Sequence, residues 1–197
     1  LEFSVLGDSY STYSGYNPSS NWTYYPTGDV DDVSEMWWYI VDEDTKYAYD
    51  TINAWSGGTV SNYSASTKGA NSPFIKRVGN LGNPNLIFIM GGLNDALHDV
   101  PLVAFKYSNF VDADLDYFRP ACAYVISQLK TLYPNADIVW VTEAITASDY
   151  LNSIHTICTE MGIPYLDPVP EVVQRHPTAD GQATIADVVI NYIETYL

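Results

Sequence analysis

Four short stretches of this chain carry residue types that could act together on an acyl group. Gly7-Asp8-Ser9-Tyr10-Ser11 offers a hydroxyl and Trp55-Ser56-Gly57-Gly58-Thr59 a flexible glycine turn. Gly91-Gly92-Leu93-Asn94-Asp95 offers a carboxamide, and Arg175-His176-Pro177 an imidazole. A serine hydroxyl needs a base to become nucleophilic, and histidine is the usual one near neutral pH. The tetrahedral intermediate then needs donors aimed at its oxyanion, which backbone N–H groups and an Asn side chain can supply. Glycine lets the backbone come close to the substrate oxygen. The four stretches together suit acyl transfer.

Three of them follow strand-like apolar runs, which is what would bring them to one place. The runs are Glu2–Leu6, Tyr49–Asn53, Leu86–Met90, Ile138–Thr142 and Pro164–Leu166, several of them near-continuously apolar, as strands buried on both faces are. Helical patterns alternate with them. Val33–Asp44 carries Met36, Trp37, Ile40 and Val41 at helical spacing, and Pro120–Tyr133 has Ala121, Val125, Leu129 and Leu132 on one side before Pro134. Ser148–Met161 opens on a capping serine and stops at Gly162, and Ala179–Leu197 closes the chain. This alternation predicts a flavodoxin-like three-layer α/β/α sandwich around a roughly five-stranded parallel sheet. In such sheets ligands bind beyond the carboxyl ends of the strands, so the hydroxyl, glycine turn, carboxamide and imidazole would share one rim.

The chain of 197 residues fits one domain over 1–197, with 47% hydrophobic and 16% charged residues. Eight Lys and Arg face 24 Asp and Glu, for a formal net charge of −16. That balance disfavours nucleic acid and anionic membrane surfaces as partners, since both reward a basic face. The first 45 residues hold nine acidic side chains and no Lys or Arg, a concentration read mainly as solubility. No apolar run approaches the ~20 residues of a membrane span. Cys122 and Cys158 are read as two separately buried thiols. The chain opens at Leu1 with no basic n-region, so no signal peptide is read, and the compartment stays open between secreted, periplasmic and cytoplasmic.

Gly-Asp-Ser at 7–9, Gly57 in Ser-Gly-Gly-Thr, Gly92-x-Asn94-Asp95 and His176-Pro177 resemble the four blocks of the SGNH (GDSL-type) hydrolases, in order and over nearly the whole chain. The resemblance implies a flavodoxin-like sheet and an esterase, lipase or carbohydrate-deacetylase activity. It implies Ser9 as nucleophile and His176 as base, with an oxyanion hole from the Ser9 and Gly57 N–H groups and the Asn94 side chain. The family usually places Asp three residues before the His, but position 173 is valine. Glu171, Asp167 or a main-chain carbonyl is left to orient the imidazole. The expected reaction is hydrolysis of small acyl esters, with acetyl groups on carbohydrate as a candidate substrate and with no metal or organic cofactor.

Other readings compete. Ser9 to Ser14 could cradle the phosphate of FMN in an electron carrier, and the missing Asp fits a non-catalytic carbohydrate-binding domain on a hydrolase scaffold. Asp112, Asp114 and Asp116 imitate an EF-hand opening, but Tyr117 and Ala123 stand where that loop demands Gly and Glu, so calcium is rejected. His98 reads as a solvated loop residue and His155 as structural. Six aromatics from Tyr10 to Tyr25 fit either a sugar or acyl site or a cover for the sheet edge, with equal weight.

Overall fold

A computed structural model describes residues 1–197. Five parallel strands form the sheet: β1 (Glu2–Gly7), β2 (Ala48–Ala54), β3 (Leu86–Met90), β4 (Asp137–Val141) and β5 (Tyr165–Leu166). Their order is β2-β1-β3-β4-β5. The apolar runs read from the sequence are these strands. All of β3, and β1 from Phe3 onward, is buried, because helices cover both faces and leave no side for polar alternation.

Six α-helices flank the sheet. They are α1 (Trp37–Asp44), α2 (Phe74–Arg77), α3 (Leu93–Leu97), α4 (Phe118–Leu132), α5 (Ser148–Glu160) and α6 (Ala179–Tyr196). Helix α1 packs on α6, while α4 packs on α2 and α5. Right-handed crossovers in this strand order send these two groups to opposite faces. The expected helix over Val33–Asp44 is divided: a 3-10 turn at Val33–Glu35, capped by Asp32, precedes α1. Helix α5 is not capped by Ser148 as expected, because the N-cap position falls on Ala147. Thr178 does cap α6, its hydroxyl accepting the Gly181 N–H at 3.1 Å. Cys122 and Cys158 are both free and buried.

Two features not read from the sequence position the rim. Helices α2 and α3 are one to two turns long, too short to show a helical period. A two-stranded antiparallel hairpin, β6 (Val172–Val173) and β7 (His176–Pro177), projects before α6. Its turn residues, Gln174 and Arg175, have φ of 50° and 70°. Such a turn matches the right-handed twist of a hairpin, although Gly and Asn are the usual residues there.

The loop after β2 is tied to α3 by one buried carboxylate. Asp95 accepts the Val60 N–H at 2.7 Å and the Ser61 N–H at 3.1 Å, and all three residues are buried. Burial nonetheless pushes the Asp95 carboxyl up to about 6. Asp95→Ala would leave two dry N–H groups without acceptors, and should cost about 2–4 kcal/mol in urea unfolding. A loss below about 0.5 kcal/mol, the scale of a neutral surface change, would show that water or another acceptor replaces the carboxylate.

Candidate active site

In this strand order the chain leaves β1 toward one side of the sheet and returns to β3 on the other, opening a crevice beyond their carboxyl ends. The loops after β1, β2 and β3 converge there. Immediately after β1, Asp8 caps a single 3-10 turn, Ser9–Ser11, by accepting the Tyr10 N–H at 3.1 Å through Oδ1. The turn is held from behind. Trp38 Nε1–H donates to Ser11 O at 3.0 Å, and Gln182 of α6 bridges the Tyr10 carbonyl and the Trp37 N–H. Ser9 itself is 6% exposed at the surface of this turn.

His176 reaches Ser9 from the β6–β7 hairpin, with Nε2 at 3.0 Å from Ser9 Oγ. Its Nδ1 lies 3.1 Å from the main-chain oxygen of Gln174. A carbonyl can only accept, so Nδ1 carries the proton and Nε2 turns its lone pair to the serine hydroxyl. The Tyr24 ring lies flat on the imidazole, 3.5 Å between centroids and 9° between planes. Tyr25 anchors the hairpin by donating its hydroxyl proton to Pro177 O at 2.6 Å. Partial burial lowers the His176 pKa below the usual 6.5, and the hydrogen bond to Gln174 O opposes that shift.

Neither acid considered as the orienting group bonds the imidazole. Asp167 Oδ1 is occupied by the Thr142 hydroxyl at 2.8 Å and by His155 Nε2 at 2.9 Å. Glu171 is exposed, and its main-chain oxygen accepts the Thr178 N–H. Of the three possibilities open in the sequence, the main-chain carbonyl is the one found. The residue supplying it, Gln174, carried no sequence signal, because any residue has a carbonyl and only the turn aims it.

The Ser9 and Gly57 N–H groups make no hydrogen bond within the protein. Gly57 has φ of 76°, and a Cβ there would fall 2.6 Å from Lys68 Cε. The left-handed backbone is what calls for glycine at that position. Asn94, in the first turn of α3, donates from Nδ2 to Asp8 Oδ2 at 2.6 Å and to Gly58 O at 3.1 Å. One amide thus bonds the loops after β1 and β2 while belonging to the element after β3. Both its protons are engaged, which the sequence does not reveal.

Beneath these loops lie buried charges whose proximity the sequence also conceals. Arg77 donates to Gly7 O and Ser72 O at 3.0 Å each and to the Asn53 carbonyl, and burial lowers its pKa to about 9. Asp8 is pushed up to about 6 by burial, and Glu143, just beyond β4, is raised well above the usual carboxylate range for the same reason. The aromatic run divides. Tyr10 and Tyr25 are core, Tyr24 supports His176, and Trp22 is exposed over the Lys68 ammonium. His98 is the exposed cap of α3, stacked on Tyr63, and His155 stacks on Tyr165. Asp114 is paired with Lys106 at 2.6 Å.

Comparison with known proteins places the chain in a family and a fold. The family model for GDSL-like lipase/acylhydrolase matches residues 1–193. A crystal structure described as a GDSL-like lipase, from Bacteroides ovatus ATCC 8483, has 30% identity and a TM-score of 0.93, covering 98% of this chain and 97% of that one. One from Bacteroides uniformis ATCC 8492, with the same description, has 32% identity and a TM-score of 0.93, covering 98% and 95%. A family two carbohydrate esterase from Clostridium thermocellum, in complex with cellohexaose, shares the fold at 16% identity and a TM-score of 0.66, covering 98% and 63%. No curated protein matches the chain. With the match running over nearly its whole length, the chain belongs to the GDSL-like lipase/acylhydrolase family and is an ester-hydrolysing enzyme.

Proposed function

We propose that the protein hydrolyses small acyl esters through a Ser9–His176 dyad and an acyl-enzyme. The observation that carries this reading is the 3.0 Å contact between Ser9 Oγ and an imidazole whose other nitrogen is fixed as a donor. Ser9 Oγ attacks the ester carbonyl as Nε2 takes its proton. The oxyanion meets the free N–H groups of Ser9 and Gly57. Asn94 joins them by giving up the longer of its two bonds, to Gly58 O, while the shorter bond to Asp8 holds it in place. His176 returns its proton to the departing alcohol, then activates the water that releases the acid. The imidazolium formed on the way meets the Gln174 carbonyl dipole at Nδ1, where a carboxylate would stand, and the Tyr24 ring on its face.

A cavity of about 170 Å³ lies on the hairpin side of His176, lined by Tyr24, Thr27, Asp29 and Gln174 among others, and Ser9, Gly57 and Asn94 are not among its lining residues. The aromatic faces of Tyr24 on His176 and of exposed Trp22, with the likeness to a carbohydrate esterase, favour a sugar as the alcohol half. The acidic segment that includes Asp29 favours a neutral ester.

Hydrolysis of p-nitrophenyl acetate should fall roughly 10³-fold or more in Ser9→Ala, the scale of losing a nucleophile. Glu171→Gln and Asp167→Asn should stay within about threefold of wild type, since neither touches the imidazole. A Ser9→Ala enzyme at the wild-type rate would remove the mechanism.

The pH profile of kcat/KM should rise as His176 loses its proton, and burial places the midpoint below 6.5. A midpoint above 6.5 would mean that a carboxylate, not a carbonyl, faces the ring during turnover. Acetyl esters should outrun octanoyl esters, and acetylated xylo-oligosaccharides should release acetate. Faster octanoate turnover would overturn the substrate assignment.

A further inference from the structure

The proposed reaction uses Asp8 and Asn94 but leaves a fully enclosed acid unexplained. Glu143 follows β4 and is 3% exposed. Its Oε2 accepts the Leu93 N–H at 2.9 Å, fixing the first residue of the helix that carries Asn94. Its Oε1 meets no donor at all. Among the polar groups near Glu143, which include Asp95 and the unpartnered Tyr10 hydroxyl, is the carboxyl of Asp8, itself wholly buried, whose two oxygens already accept from the Tyr10 N–H and from Asn94. Two carboxylates cannot sit together in a dry interior, whereas one proton between them turns repulsion into a hydrogen bond. The oxygen without a donor is the one able to carry that proton.

We propose that Glu143 is a positioning residue for the Asn94 amide, acting through a proton that it shares with Asp8. The role rests on the reading of Asn94 as an oxyanion donor. Protonated Glu143 donates to Asp8, and Asp8 keeps its remaining lone pairs on the Tyr10 N–H and the Asn94 amide. Glu143 thus grips α3 twice, directly at Leu93 and through Asp8 at Asn94. The Arg77 guanidinium on Gly7 O and the buried Asp95, Tyr10 and Tyr25 are the other ionisable groups around the pair. Both oxygens of Asp8 already accept a donor whereas Oε1 of Glu143 accepts none, so the proton resides on Glu143.

Loss of this proton in alkaline solution places two negative charges side by side beneath the oxyanion site. The amide then loses its fixed acceptor, and kcat falls while substrate binding elsewhere is unaffected. Glutamine at 143 preserves the arrangement without the titration, because its NH₂ donates to Asp8 and its Oε1 accepts from Leu93.

The experiment is a kinetic cycle of wild type, Glu143→Gln, Glu143→Leu, Asn94→Ala and the Glu143→Leu/Asn94→Ala double variant, on p-nitrophenyl acetate from pH 6 to 10. Ser9→Ala and the melting temperature of each variant serve as controls. Glu143→Leu should lower kcat about 10- to 100-fold with KM nearly unchanged, a part of the 10²–10³ that a lost oxyanion donor costs. The double variant should be no slower than Asn94→Ala. Glu143→Gln should keep kcat within about threefold at pH 7 and should lack the alkaline fall that the wild type shows, since the neutral amide has no proton to lose.

A folded Glu143→Leu with wild-type kcat, or losses that multiply in the double variant, would overturn the proposal. If Glu143→Leu does not fold, Glu143→Gln decides: an alkaline limb in both enzymes, or in neither, counts against the shared proton. Wild-type turnover in Ser9→Ala would bring down the acyl-enzyme reading beneath it. A Ser9-dependent enzyme indifferent to Glu143 would bring down this proposal alone.

Discussion

The Asn94 carboxamide is the point on which the rim of this enzyme is assembled. It belongs to the helix after β3, yet its two protons reach Asp8 after β1 and the Gly58 carbonyl after β2. Three loops that the sheet merely brings near one another are thereby set in a fixed relation. In the proposed reaction that fixed relation matters, because donors to an oxyanion act only from about 2.7–3.1 Å. Asp95, the next residue, makes the same join at the backbone by holding Val60 and Ser61. One side chain ties the loops through side-chain bonds, its neighbour ties them through main-chain bonds, and both are carried by a single short helix.

Such an arrangement concentrates buried polarity where hydrophobic packing alone would be more stable. Asp8, Asp95, Glu143 and Arg77 lie almost wholly out of water under the site, and burial displaces each from its usual ionisation range. Replacing buried ions by apolar groups often stabilises a fold, so stability is a poor account of why they are here. Their partners give a better one. Arg77 holds the carbonyl ends of β1 and β2, and the acids hold N–H groups at the beginnings of the loops that follow the strands. Strand ends terminate backbone hydrogen bonding, and the charges satisfy what the sheet leaves open. The rigidity this gives is spent on geometry at the rim.

Fold and site were legible in the sequence to different depths, for physical reasons. The apolar runs of β1 and β3 are visible because both faces of a central parallel strand are buried, and α4 and α6 are visible because each spans several turns with one apolar side. Helix α3 has five residues and the hairpin strands two each, below the length at which any period declares itself. The hairpin turn gave still less warning, since Gln174 and Arg175 adopt left-handed backbone without being Gly or Asn. Ser9, Gly57, Asn94 and His176 stand out as candidates by residue type and order. The contacts between Asp8 and Glu143, or between His176 and the Gln174 carbonyl, join parts of the chain through space and leave no local mark.

The hairpin shows how the place of the usual acid is filled. A left-handed conformation costs an L-residue roughly 1–2 kcal/mol, and here two successive residues adopt it. What the strain achieves is direction: the turn points the Gln174 carbonyl at Nδ1 of the residue two positions on. A carboxylate would stabilise the imidazolium by its full charge, whereas a carbonyl does so by a dipole and leaves the pKa of the ring to be set chiefly by burial. An imidazole held in this way is a weaker base, and deprotonated at lower pH, than one backed by aspartate. Tyr24 compensates in part, because its ring face attracts the cation when it forms and confines the imidazole plane at all times. Orientation, more than charge, is what the hairpin and Tyr24 supply, and it is the component of the acid's role that a neutral group can replace.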